Sequence, residues 1–169
     1  MVLNRSMNIT QDLHYAGPLA DVLPILRSEE LAFRRIQELG TPEYTFTHNE
    51  VNGKPTTETT VTIDAGELPD RAAMFVGKYV TATVKSVETV TSAGAQIDYA
   101  LSAKLPVKVA ARMLLVDTGA VTAGRLEVHL NVTIPFAGAM IERKIAEEIP
   151  KILAKDVKLV NELIVKKRG

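Results

Sequence analysis

Two hydrophobic periods divide this chain. From Pro135 to Val165 the period is helical: Ile141, Ile145, Ile149, Ile152, Leu153, Val157, Val160 and Ile164 recur at steps of three and four. Glu142, Arg143, Lys144, Glu147, Glu148, Lys151, Lys155 and Lys158 fill the positions between them. The pattern predicts one long amphipathic helix with a continuous apolar stripe. At about 1.5 Å per residue it spans on the order of 40 Å. Such a stripe needs cover, and most of the chain before it alternates with a period of two, so the cover is a sheet.

The alternation begins at Asn8 to Ala16, where Ile9, Gln11, Leu13 and Tyr15 share one face and Thr10, Asp12 and His14 the other. Gly17-Pro18 stops that strand. Pro18 to Leu26 reads as a short helix with Asp21 as N-cap, which confines Pro24 to its first turn. Ser28 caps a second helix, Glu29 and Glu30 stand at its positive end, and Gly40 closes it. Leu31, Ile36 and Leu39 face inward there, joined by Ala32 or Phe33. From Glu43 the period is two again, with Tyr44, Phe46 and His48 on one face. Asn52-Gly53 is a hairpin signal, because both positions tolerate positive φ. The threonine-rich return strand, Thr56 to Ala65, turns Val61 and Ile63 to the core. Gly66 to Gly77 breaks the pattern, yet Leu68, Met74, Phe75 and Val76 are too apolar for a free loop and are expected to fold back on the core. Four strands follow, at Lys78–Thr89, Ala95–Leu105, Val107–Val116 and Arg125–Ile134. Asp117-Thr118-Gly119 makes a turn, and Pro106 sits at a strand start or bulge.

The predicted class is therefore α+β, in the order β-α-α-β6-α. Six consecutive strands make an antiparallel meander, the first strand joins one of its edges, and the curved seven-stranded sheet wraps around the long C-terminal helix. Phe136 to Met140, with Gly138, swings the chain into that helix, and Pro150 is expected to kink or break it into two arms. A length of 169 residues suits a single domain over 1–169, with Met1–Ser6 as a loose extension and Met7 as an alternative start.

Composition narrows the partners. Lys plus Arg and Asp plus Glu both number 20, so no basic field points to nucleic acid. Lys166, Lys167 and Arg168 form a small basic tail that suits a negative helix end. Without cysteine there is no disulfide, thiolate nucleophile or zinc–thiolate site. The first residues lack the apolar core of a signal peptide, and no apolar run approaches the roughly 18–20 residues of a membrane span. The expectation is a cytoplasmic protein without integral membrane association.

The candidate chemistry is sparse. Of three histidines, His129 falls on the polar side of a clean alternation, and His14 shares a face with Thr10 and Asp12, so both read as surface residues. Asp12 and His14 can pair, but nothing completes a triad. His48 follows Tyr44 and Phe46 on an apolar face, and Gln11 sits between Ile9 and Leu13. A buried polar group without a partner costs on the order of 1–3 kcal/mol, so each must pair, reach water or point into a cavity. The simpler reading of His48 is a solvated place near the sheet mouth beside Asn52-Gly53. If there is a cavity, its polar contacts are Gln11, Tyr15, Tyr44, His48 and Tyr99. Phe46, Phe75, Met113, Met140 and Ile141 are its apolar candidates, although Phe75, Met113 and Met140 read first as ordinary core. No cluster has metal-ligand spacing, no glycine loop cradles a phosphate, and no catalytic residue or cofactor is assigned.

The stretches AGELPDRAAMFVG (Ala65–Gly77), LPVKV (Leu105–Val109) and IPFAGAMIERKIAEEI (Ile134–Ile149), with LHYAGPLADVLPIL at the start, carry a resemblance. From about Ile9 to Leu163 the chain resembles the START-like (SRPBCC) helix-grip superfamily, and within it the actinobacterial domain of unknown function 2505 family. The resemblance implies a hydrophobic cavity between the sheet and the long helix, taking a lipid-like or polycyclic ligand. The function expected is that of a noncatalytic carrier or sensor. The alternatives are a module docking a protein partner, and a polyketide cyclase-like or hydrolase-like enzyme using His48 or a cavity tyrosine as general acid–base.

Overall fold

A computed structural model describes residues 5–40, 43–64, 78–104, 107–133 and 138–169, the side chains of Arg5 and Ile141 excepted. The chain runs β1 (Arg5–Tyr15), α1 (Leu19–Leu26), α2 (Glu29–Gln37), β2 (Glu43–Val51), β3 (Lys54–Asp64), β4 (Tyr79–Val90), β5 (Gly94–Ala103), β6 (Val107–Asp117), β7 (Thr122–Val132) and α3 (Gly138–Arg168). The sheet order is β1-β7-β6-β5-β4-β3-β2, antiparallel throughout. The expected α+β grip with seven strands and a long C-terminal helix is what forms.

Local chemistry explains the elements. Asn52 and Gly53 both take positive φ, 53° and 75°, as the two-residue hairpin turn requires. The Ser28 hydroxyl accepts from the Leu31 amide at 3.2 Å and donates to the Ile25 carbonyl at 2.7 Å, so one side chain ends α1 and starts α2. At Gly94, where β5 begins, a Cβ would run into the Leu115 carbonyl oxygen.

Register sorts the side chains. Leu13 and Tyr15 of β1, Ile97 of β5, Met113 and Leu115 of β6 and Leu126, Val128 and Leu130 of β7 face the helices. They pack with Val22, Ile25 and Leu26 of α1, Leu31 of α2 and Val160, Leu163 and Ile164 of α3. Four ion pairs fasten the C-terminal half of α3 to the short helices: Arg35–Asp156 at 2.6 Å, Arg34–Glu162 at 2.9 Å, Lys166–Glu30 at 2.7 Å and Arg168–Asp21 at 3.0 Å. Two residues of the basic tail are thus tethers.

The structure corrects several expectations. β1 starts at Arg5, and Arg5 and Ser6 pair with Val132 and Asn131 instead of belonging to a loose extension. Pro18, not Asp21, occupies the N-cap of α1; Asp21 lies in its first turn, and Pro24 falls beyond that turn with an exposed ring. Leu39 and Phe33 are exposed, and Ala32 is the residue that joins Leu31 and Ile36 inside. α3 runs unbroken through Pro150, so a break of the helix there does not occur. Ile152, 58% exposed, leaves the apolar stripe for the outer side. Its place is taken by Leu163, which helical phase puts beside Val160 and Ile164. The predicted fold-back at 66–77, Pro106 and the start of the Phe136–Met140 turn lie outside the described residues.

Candidate functional site

The residues facing α3 change character across the sheet. On β7 and β6 they are Leu126, Val128, Leu130, Val109 and Met113. On β4, β3 and β2 polar groups enter the same face: Ser86 and Glu88, Thr57 and Thr59, then His48. Antiparallel pairing aligns them, since His48 stands opposite Thr57, Thr57 opposite Ser86, and Ser86 opposite Tyr99. Glu88 stands opposite Ile97, which is itself opposite Met113. One polar belt therefore crosses an otherwise apolar concave face.

Glu88 is its least exposed charged member, at 7%. Its cation is Arg27, whose Nη2 lies 3.7 Å from Oε1, beyond hydrogen-bond length. Arg27 Nε donates to the Leu23 carbonyl at 3.3 Å. The Thr57 and Ser86 hydroxyls bond each other at 2.5 Å. Burial pushes the Glu88 carboxyl above the usual range, with Arg27 and then His48 pulling the other way.

Deeper under the helices, Arg35 of α2 grips Asp156 of α3 with two parallel bonds of 2.6 and 2.8 Å. Burial works against the Arg35 charge, but Asp156 overrides it and holds the guanidinium more firmly protonated than usual. Two phenols share this surrounding. Burial pushes Tyr99 up to about 12, and it pushes Tyr15 up as well. Both are hydrogen-bond donors at neutral pH, not bases. The Tyr15 hydroxyl meets the Met113 sulfur at 3.8 Å, whereas Tyr99 has no hydrogen-bond partner among the described residues.

The expected site residues separate into groups. Tyr15 and Met113 are buried in the core, Tyr99 and Gln11 are half-buried on the concave face, and His48 is exposed at its rim, the simpler of its two readings. Tyr44 and Phe46 are half-buried on the same face; Tyr44 is engaged by α2, donating to Glu29 at 3.3 Å with its ring centroid 6.0 Å from that of Phe33. Met140, in the first turn of α3, is 47% exposed. Phe75 and the Ile141 side chain lie outside the described residues. His14 and His129 are exposed as expected. Sequence reasoning missed Glu88, Arg27, Arg35 and Asp156. The signal was present in phase: Val80, Ala82, Val84, Ser86 and Glu88 alternate on one face, and Asp156 falls between Leu153 and Val160 in the helical stripe.

The outer face of the sheet carries an open groove of about 550 Å³, bordered by Asn8, Asp98, Arg112, Glu127 and His129. Its polar groups are largely satisfied by one another. Asp98 accepts from Arg112 and Gln96 at 2.9 Å each, and His129 bonds Asn8 at 2.6 Å and Ser6 at 3.3 Å. Among the described residues no three His, Asp or Glu side chains converge as a metal site needs, and no helix is long and apolar enough to cross a membrane.

A family model described as protein of unknown function (DUF2505) matches residues 10–164. Solved structures of the same shape include a START superfamily protein from Mycobacterium smegmatis, 15% identical over 94% of this chain and 97% of that one, with a TM-score of 0.57. The Zhui aromatase/cyclase from Streptomyces sp. R1128 is 16% identical over 98% of this chain and 97% of its own, at 0.60. Norcoclaurine synthase from Thalictrum flavum is 14% identical over 96% and 88%, at 0.59. At such identities the likeness is one of fold. Comparison with curated proteins finds no match.

Proposed function

We propose a function on the premise that this chain belongs to the DUF2505 family of proteins of unknown function and has a START-like helix-grip fold. It is a noncatalytic carrier or sensor that holds a hydrophobic small molecule, lipid-like or polycyclic, between the sheet and α3. One observation carries this reading: apolar residues that face the helix are left incompletely covered. Val61, Ile63, Leu101 and Val109 are only half-buried, and Val84 is 39% exposed. Burying such a side chain from full exposure is worth about 1.5–3 kcal/mol, and an apolar ligand body would supply the part of it still uncovered. The belt from Tyr99 to His48, with Gln11 apart from it on β1, provides the few polar contacts that orient a ligand.

Native mass spectrometry after mild purification tests the reading. The expected result is a mass excess of a few hundred daltons that organic solvent removes; an unliganded mass, with an experimental structure whose interior is fully packed, refutes it. The enzymatic alternative keeps His48 or a cavity tyrosine as its acid–base group, with Tyr15 and Tyr99 entering as proton donors, since burial holds both phenols protonated. The docking alternative keeps the outer groove.

A further inference from the structure

We propose that Glu88 anchors the ammonium group of a ligand, so that the interior takes an amphiphilic amine with its apolar body on the incompletely covered Val84 and Leu101. This rests on the carrier reading above and adds to it the chemical class of the ligand.

Glu88 is more than nine-tenths buried, and among the described residues no hydrogen-bond donor reaches its carboxylate. None of the neighbouring donors makes a hydrogen bond to it. Arg27 stands 3.7 Å off with its Nε spent on Leu23, and the Ser86 and Thr57 hydroxyls are bonded together. The second ion pair of the interior offers nothing, because Arg35 and Asp156 satisfy one another with two bonds. A buried anion without donors is costly to leave unmet. An ammonium group supplies three donors and the opposite charge, and such charge-assisted bonds are about twice as strong as neutral ones. An anionic ligand would meet Glu88 as a like charge. The same face suits the rest of the molecule: Val84 lies four residues before Glu88 on β4 and Leu101 stands opposite Val84, both apolar side chains that the fold leaves partly uncovered.

Isothermal titration of the full chain with n-octylamine, n-octanol and n-octanoate, each below its micellar concentration, tests this. In the unaltered protein the amine should bind at least about tenfold more tightly than the alcohol, with the carboxylate weakest. Glu88→Gln should bring the ratio of amine to alcohol affinity to about one. Arg27→Gln removes the competing cation and should widen the ratio; it decides the matter if Glu88→Gln fails to fold by circular dichroism. Equal binding of amine and alcohol, a preference that survives Glu88→Gln, or a ratio that narrows in Arg27→Gln overturns the assignment. Three probes that bind alike overturn only the ligand class. Three that do not bind overturn the carrier reading, and this inference with it.

Discussion

Glu88 shows how one side chain can serve a site and burden the fold. Burial raises its carboxyl in the folded state, so ionising it there costs more than in the unfolded chain. The sign follows directly. Below the unfolded glutamate range both states are protonated and there is no penalty; as pH rises through the folded value, the penalty appears and stability is lost. Glu88→Gln should therefore be more stable than the unaltered protein near neutrality and level with it in acid. Urea melts across that range measure the difference, and a constant or opposite gap contradicts it. Asp156 behaves in the contrary way, because its partner depends on it. Asp156→Ala leaves the half-buried Arg35 guanidinium without its two bonds, and should cost about 1–3 kcal/mol in the same melts. Adding Arg35→Ala to it should cost less than the sum of the two single changes.

At the scale of elements, legibility followed how strongly local chemistry decided the outcome. The β7 alternation, the Asn52-Gly53 turn and the Ser28 cap were readable because each is fixed by neighbours in sequence. The burial of α3 was not, because periodicity gives a stripe but not its edges. The stripe turns enough to expose Ile152 and to admit Leu163. The polar positions of the concave face were legible where they interrupted an apolar alternation, as at Gln11 and His48. Charged residues on that face and on the helices over it were missed, since Arg35 and Asp156 gain their place from each other, 121 residues apart, and Glu88 from Arg27 at the end of α1. Pro150 is the instructive miss. Its ring denies the Ala146 carbonyl a helical donor, yet packing and ion pairs along the following turns keep α3 continuous. Pro150→Ala should restore that bond and stabilise the protein by about 1–3 kcal/mol. If the proline also widens an entrance, ligand exchange should slow; unchanged exchange removes that role.

The whole molecule is fastened unevenly. At the end where β1 passes into α1, Tyr15, Val22, Ile25, Leu115, Val160 and Ile164 are sealed, and Gly17 is so close under Ile164 that a Cβ would sit 3.0 Å from its Cγ2. The ion pairs from α1 and α2 reach only Asp156, Glu162, Lys166 and Arg168, all in the last 14 residues of the chain. Toward the beginning of α3, Ile145, Ile149 and Leu153 rest half-buried on the same concave face whose strands remain half-covered. Buried contacts and paired charges set the free energy of local opening, so the two halves of one helix should open independently. Amide hydrogen exchange should find the amides of 160–164 protected close to the global limit and those of 145–149 exchanging faster by about two orders of magnitude, a difference of about 3 kcal/mol. An apolar ligand in the grip would contact the loose half and slow it selectively. Uniform protection along α3, or ligand-induced protection confined to 160–164, would place the opening elsewhere and move the binding surface away from Val84, Leu101 and Val109. Selective slowing of the loose half would put the hinge beside Asp156, where the tethers stop, with the stretch before it as the moving wall.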